Sequence, residues 1–82
     1  MDLKTDEGLV INQNGEKLAL YKDGSGKVTS LSAACTHSGC TVDWNSSDKT
    51  WDCPCHGSRF DKDGKVIKGP AVKDLPLKAQ VK

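Results

Sequence analysis

Two short stretches, Cys35-Thr36-His37-Ser38-Gly39-Cys40 and Cys53-Pro54-Cys55-His56-Gly57-Ser58, hold every cysteine and every histidine of the chain. Cysteine and histidine packed this closely mark a metal site rather than a spread disulfide framework. The rest of the 82-residue chain offers thin material for a free-standing core, with 35% hydrophobic and 5% aromatic residues. Chains of this size commonly rely on a metal or a disulfide for stability.

Outward from these stretches, turn signals are dense. Asn14-Gly15, Asp23-Gly24-Ser25-Gly26, residues 45–48 and Asp63-Gly64 punctuate the chain. Short β-like runs lie between them. Residues 9–12 and 17–22 flank Asn14-Gly15 and read as a hairpin. Residues 28–33 follow. Residues 41–44 and 49–52 suggest a second hairpin, and Val66-Ile67 a further strand. Near the end, Leu75, Leu77, Ala79 and Val81 alternate with Pro76, Lys78, Gln80 and Lys82, a period of two. No window carries a helical stripe. The expected fold is all-β: one domain over residues 1–82, an antiparallel β-sandwich base at 7–34 and 61–82 with an inserted lobe at about 35–60. Trp44 and Trp51 are expected to fill the core between hairpin strands.

The two motifs resemble the Rieske family in its disulfide-containing form. The resemblance runs over residues 7–77. It implies a [2Fe–2S] cluster with Cys35 and Cys53 on one iron and His37 and His56 on the other. That ligand set matters electrostatically. Two thiolates leave the oxidised centre neutral, so an added electron makes only a monoanion, whereas four thiolates would start from a dianion. The potential accordingly lies at about −150 to +300 mV, against about −400 mV for plant-type ferredoxins. The resemblance also implies a disulfide between Cys40 and Cys55 and a hydroxyl of Ser58 donated to a cluster sulfide. An intracellular disulfide is unusual, and burial under the lobe is one way to protect it. Gly39, Gly57 and Pro54 shape the loops, and Gly69-Pro70-Ala71 matches a family loop that folds over the cluster lobe.

Two positions depart from the quinol-oxidising members. They carry tyrosine where this chain has Phe60, and leucine where it has Ser38. The missing hydroxyl implies a lower potential, and the serine a more polar tip. Residues 44–45, 50–60 and 69–71 are similar to the C-terminal Rieske domain of bacterial FAD-dependent oxidoreductases. The expected function is one-electron transfer, as the relay domain of a soluble flavin-dependent oxidoreductase, with a flavin domain or redox protein as partner and no catalytic site of its own. The alternative is the soluble head of a membrane quinol-oxidising complex of the cytochrome bc type.

A structural zinc-stapled module is the chemical rival, since two cysteines and two histidines suit tetrahedral zinc. The Cys-x-His step and the twinned extra cysteines fit zinc modules poorly. A cysteine nucleophile with a histidine base lacks any oxyanion loop. A terminal oxygenase needs a further two histidines and a carboxylate, and both histidines are already assigned. With 12 basic and 11 acidic residues scattered along the chain, no basic stripe for nucleic acid exists. No apolar run approaches the ~20 residues that span a bilayer, and the first residues resemble no signal peptide. The expectations are therefore a cytoplasmic location and a monomer as an isolated domain.

Overall fold

The computed structural model describes residues 3–36, 39–55 and 57–78. Among them there is no helix. Seven antiparallel strands run in chain order: β1 (Glu7–Gln13), β2 (Glu16–Lys22), β3 (Val28–Ser32), β4 (Asp43–Asn45), β5 (Thr50–Asp52), β6 (Arg59–Asp61) and β7 (Val66–Lys68). They form a three-stranded sheet ordered β1-β2-β3 and a four-stranded sheet ordered β4-β5-β6-β7. The protein is all-β and antiparallel, as its turn spacing implies.

The turns explain the connectivity. Asn14 and Gly15 both take positive φ, 53° and 82°, which a two-residue hairpin turn of the primed type requires. Gln13 pairs with Glu16 directly across it. The β2–β3 and β6–β7 turns share one design, Asp-x-x-Gly-Lys. In the first, Asp23 N donates to Lys27 O at 2.9 Å; in the second, Asp61 N donates to Lys65 O at 2.8 Å. In each, the leading Asp carboxylate accepts the Lys backbone N–H, at 2.9 and 3.0 Å. Hydrogen bonds from Ser25, followed by those from the turn backbone, hold the Asp23 carboxyl below its usual range.

Arg59–Asp61 is a strand that lay hidden in the sequence, since its residues read as the tail of the second motif. Conversely, within the alternation at 75–82 the described residues 75–78 contribute an isolated bridge between Leu31 and Leu77. Pro76 has no N–H to donate, so the pairing rests on Ser32 N to Pro76 O and Lys78 N to Ser30 O, at 2.8 and 2.9 Å. Ala79 and Val81 lie outside the described residues.

The core forms where one face of each sheet meets the other. Trp44, Trp51, Phe60 and Val66 pair in succession across the second sheet, one aromatic or aliphatic side chain per strand. Trp51 and Phe60 are fully buried, and Trp44 and Trp51 meet with ring centroids 4.8 Å apart. Tyr21 of β2 packs on Trp44 at 5.4 Å. Its hydroxyl donates to the Asp6 carboxylate, and this hydrogen bond, with burial, pushes its pKa up to about 12. Both tryptophans fill the core, as expected from their size.

Gly8 makes this contact possible. A Cβ there would lie 2.5 Å from Trp44 Cδ2 and 2.8 Å from Trp51 Cη2. Outside the rings, Lys49 donates to Glu7 Oε2 at 2.7 Å and to Asp6 O at 2.9 Å, tying the β4–β5 turn to β1. Exposed pairs of this kind add little stability; the aromatic contact carries the join. Gly8→Ala is expected to destabilise the fold by about 1–3 kcal/mol through overpacking. Equilibrium denaturation measures it, and an unchanged midpoint would contradict the packing described.

Candidate cluster-binding site

Residues 35–40 and 53–58 form two loops built on one frame. An antiparallel pair closes each loop: Ala34 with Thr41 around the first, and Asp52 with Arg59 around the second. Inside, the leading cysteine donates its N–H to the carbonyl five residues on. Cys35 N reaches Cys40 O at 2.7 Å, and Cys53 N reaches Ser58 O at 2.8 Å. A glycine four residues after each cysteine donates back: Gly39 N to Cys35 O at 2.8 Å, and Gly57 N to Cys53 O at 3.1 Å. Those glycines have φ of 76° and 80°, a region that side chains with a Cβ rarely enter. The shared C-x-x-x-G spacing was the sequence signal for this frame.

The frame sets the cysteines' environments. Cys35 and Cys53 begin the loops and are buried, at 3% and 2% exposure. Both belong to the main core cluster with Val42, Trp51 and Phe60. Cys40 and Cys55 form a disulfide, Cα to Cα 6.5 Å, across a separation of 15 residues. Closing a chain segment of that length is worth roughly 3 kcal/mol on the loop-entropy model. Cys55 itself is exposed, so burial under the lobe does not shield its side of the bridge. His37, His56 and Ser38 lie outside the described residues.

Ser58 is fully buried, and its Oγ accepts the N–H of Ala71 at 3.0 Å. With that lone pair engaged, the hydroxyl proton is available to a different acceptor. The same 69–74 loop is fixed at a second point, where Thr36 Oγ1 donates to Lys73 O at 2.6 Å. One residue from each of the two loops thus holds it. Sequence reading missed Thr36 and Lys73 because the tie uses a backbone carbonyl, which carries no sequence signature.

A polar network braces the neck of the second loop. Arg59 Nη2 donates to Asp48 Oδ2 at 2.7 Å and to Asp52 Oδ2 at 3.2 Å. Asn45 Nδ2 and Thr50 Oγ1 also donate to Asp52, at 2.9 and 2.7 Å. Burial pushes the Asp52 carboxyl up, but the hydrogen bonds from Asn45, Thr50 and Arg59 outweigh it and hold it below the usual range. These groups sit immediately before Cys53 and after Ser58, so they fix the loop's two ends.

The chain matches the family model for the Rieske [2Fe-2S] domain over residues 1–79. It belongs to the Rieske family. Members bind one [2Fe–2S] cluster and pass electrons through it, and this Rieske domain does the same. Two buried sulfur donors and a buried hydroxyl with a proton to give are a donor set that fits this group. The chain is 46% identical over 74 residues to the putative Rieske 2Fe-2S iron-sulfur protein YhfW of Bacillus subtilis, a match covering 90% of this chain and 14% of that protein. It is 43% identical over 74 residues to the cytochrome b6-f complex iron-sulfur subunit of Prochlorococcus marinus, covering 88% of this chain and 42% of that subunit. Among solved structures it superimposes on the plasma-membrane Rieske protein PetC3 of Synechocystis with a TM-score of 0.78. That pair is 40% identical, with 88% and 74% of the two chains covered. The chain thus spans less than half the length of these two curated relatives.

Ser58→Ala removes the acceptor of a buried backbone N–H and a donor aimed away from it. The expected result is a loss of about 1–3 kcal/mol in stability. The midpoint should also fall by about 60 mV, equivalent to ~1.4 kcal/mol for a one-electron couple. Denaturation and potentiometric titration of the holo-protein check both, and unchanged values would contradict the assigned role.

Proposed function

We propose that this Rieske domain is the soluble head of a quinol-oxidising complex of the cytochrome bc type, carrying one electron at a time. Support comes from the cytochrome b6-f relative at 43% identity over 88% of the chain. The respiratory Complex III structure adds to it, at TM-score 0.78 with 28% identity. The relatives named here favour this reading over the flavin relay expected from the sequence. No helix among the described residues is long and apolar enough to cross a membrane, so the domain would act as the head and not the anchor.

In this reading Cys35 and Cys53 would hold one iron as thiolates, and His37 and His56 would hold the other. The cluster supplies a one-electron acceptor and donor with no bond made or broken in the protein. The chain's residues do the rest. The core side chains Val42, Trp51 and Phe60 keep water from the cysteine side. Ser58, whose Oγ accepts Ala71 N, keeps a hydroxyl proton that it would donate to a bound cluster. The disulfide and the two glycines hold the loops so that little rearrangement accompanies each electron.

A second reading, a relay domain within a longer oxidoreductase with a flavin domain or redox protein as partner, keeps support from two observations. Phe60 is fully buried and offers no hydroxyl, and the match to the 46%-identical relative covers only 14% of that protein. The cytoplasmic location expected from the sequence belongs to this reading. A redox titration separates the two. The quinol reading expects a positive midpoint within the Rieske range, and a value near the lower end, about −150 mV, would overturn it in favour of the relay.

A further inference from the structure

The chain has one tyrosine and two tryptophans, and all three stand in one contact series. Tyr21 meets Trp44 with ring centroids 5.4 Å apart, and Trp44 meets Trp51 at 4.8 Å. Trp51 is fully buried, in the same core group as Cys35 and Cys53. At the other end, the Tyr21 hydroxyl donates to the carboxylate of Asp6, which is exposed. The series therefore runs from a surface carboxylate to the two buried sulfur donors. Trp44, in its middle, is half-buried.

Core filling asks of these rings only size and fit. Two features go beyond it. The first is the acceptor of the Tyr21 proton. The hydrogen bond from Tyr21, joined by the charge of Lys49, holds the Asp6 carboxyl below its usual range against the effect of burial. Asp6 is therefore ionised at neutral pH. A phenol gives up an electron readily when its proton leaves in the same step, and a carboxylate already in hydrogen-bond contact can take it. The second is Trp51 Nε1, which is buried and has no hydrogen-bond partner among the described residues. An indole that has lost an electron there meets no base for its proton, so the charge is not trapped on Trp51 and passes on.

We propose that Tyr21, Trp44 and Trp51 form an electron relay through which the reduced domain repairs a radical formed on its own aromatic side chains. This rests on the electron-carrier reading and not on which larger assembly contains the domain. A small one-electron oxidant takes an electron from Trp44, the half-buried member of the series. Tyr21 replaces that electron while its proton moves to Asp6, which leaves a phenoxyl radical. Trp51 and Trp44 then pass to Tyr21 the electron held at the reduced [2Fe–2S] centre, and the proton returns from Asp6. The aromatic residues end unchanged, one oxidant has been reduced, and the centre has lost one electron. The direction is downhill, because indole and phenoxyl radicals are far stronger oxidants than a Rieske centre.

The test is pulse radiolysis of the holo-domain with azide radical, a one-electron oxidant of indoles and phenols. With the centre oxidised, the indole-radical absorption should decay as the phenoxyl absorption grows, at a rate independent of protein concentration. Tyr21→Phe should abolish that growth. Asp6→Asn should slow it about a hundredfold, within what a positioned proton acceptor contributes. Asn keeps an acceptor for the hydroxyl at an exposed position, so this effect is not one of packing. With the centre reduced, both radical absorptions should vanish as the oxidised spectrum appears, at one shared rate independent of concentration. Trp44→Phe, which keeps a ring but gives up no electron, should leave the phenoxyl radical standing. Phenoxyl growth that scales with protein concentration, or that is unchanged in Asp6→Asn, would overturn the proposal. So would radicals that live as long in the reduced wild type as in the oxidised, or a Trp44→Phe variant that matches wild type. If dithionite fails to bleach the wild-type protein, the electron-carrier reading itself fails, and the indole-to-phenol step still reports on the three residues.

Discussion

Each ligand loop is closed on its own backbone, and the rest of the site depends on that closure. A cysteine N–H and a glycine N–H, crossing within six residues, turn Cys35 and Cys53 inward with the core, while Gly39, Pro54, Cys55 and Gly57 are exposed. The hydrogen bonds need a positive φ four residues after the cysteine, and only glycine supplies it without strain. The disulfide then joins one loop to the other, and the 69–74 loop crosses both. Three connections join these loops, the Cys40–Cys55 disulfide, Ala71 N to Ser58 Oγ and Thr36 Oγ1 to Lys73 O, and none of the three is a sheet hydrogen bond.

The two sheets hold this arrangement steady. Trp44, Trp51, Phe60 and Val66 run as one row across the second sheet and meet Gly8 and Tyr21 of the first. Trp51 and Phe60 belong to β5 and β6, the strands that lead into and out of the second ligand loop. Core packing and cluster position are therefore coupled through two residues. Phe60 accordingly has two consequences. It is the aromatic plug that the row requires, and it carries no hydroxyl.

Much of this was legible in the sequence. Asn14-Gly15 predicted a hairpin, because only residues tolerant of positive φ suit that turn. The clustering of Cys35, Cys40, Cys53 and Cys55 pointed to the site, and the family resemblance to the Cys40–Cys55 bridge. Other features were hidden for physical reasons. Arg59–Asp61 is a three-residue strand whose identity comes from its neighbours, not from its own pattern. Of the alternation at 75–82, the described residues form a bridge at Leu77, where Pro76 cannot join a ladder as a donor. The ties from Ser58 to Ala71 and from Thr36 to Lys73 run to backbone atoms and leave no trace in residue type. The exposure of Cys55 was not legible either, because it comes from the loop frame, which turns Cys53 inward and leaves the residue two further on exposed.

The central claim is that these two loops hold one paired-iron centre through mixed sulfur and nitrogen ligation. Pulsed electron paramagnetic resonance of the dithionite-reduced protein, with iron and acid-labile sulfide measured on the same sample, tests it most directly. The account predicts two irons and two sulfides per chain, the composition of a [2Fe–2S] centre, with strong nitrogen couplings from two imidazoles. A centre lacking nitrogen coupling, or natively assembled protein that contains zinc and no labile sulfide, would contradict it.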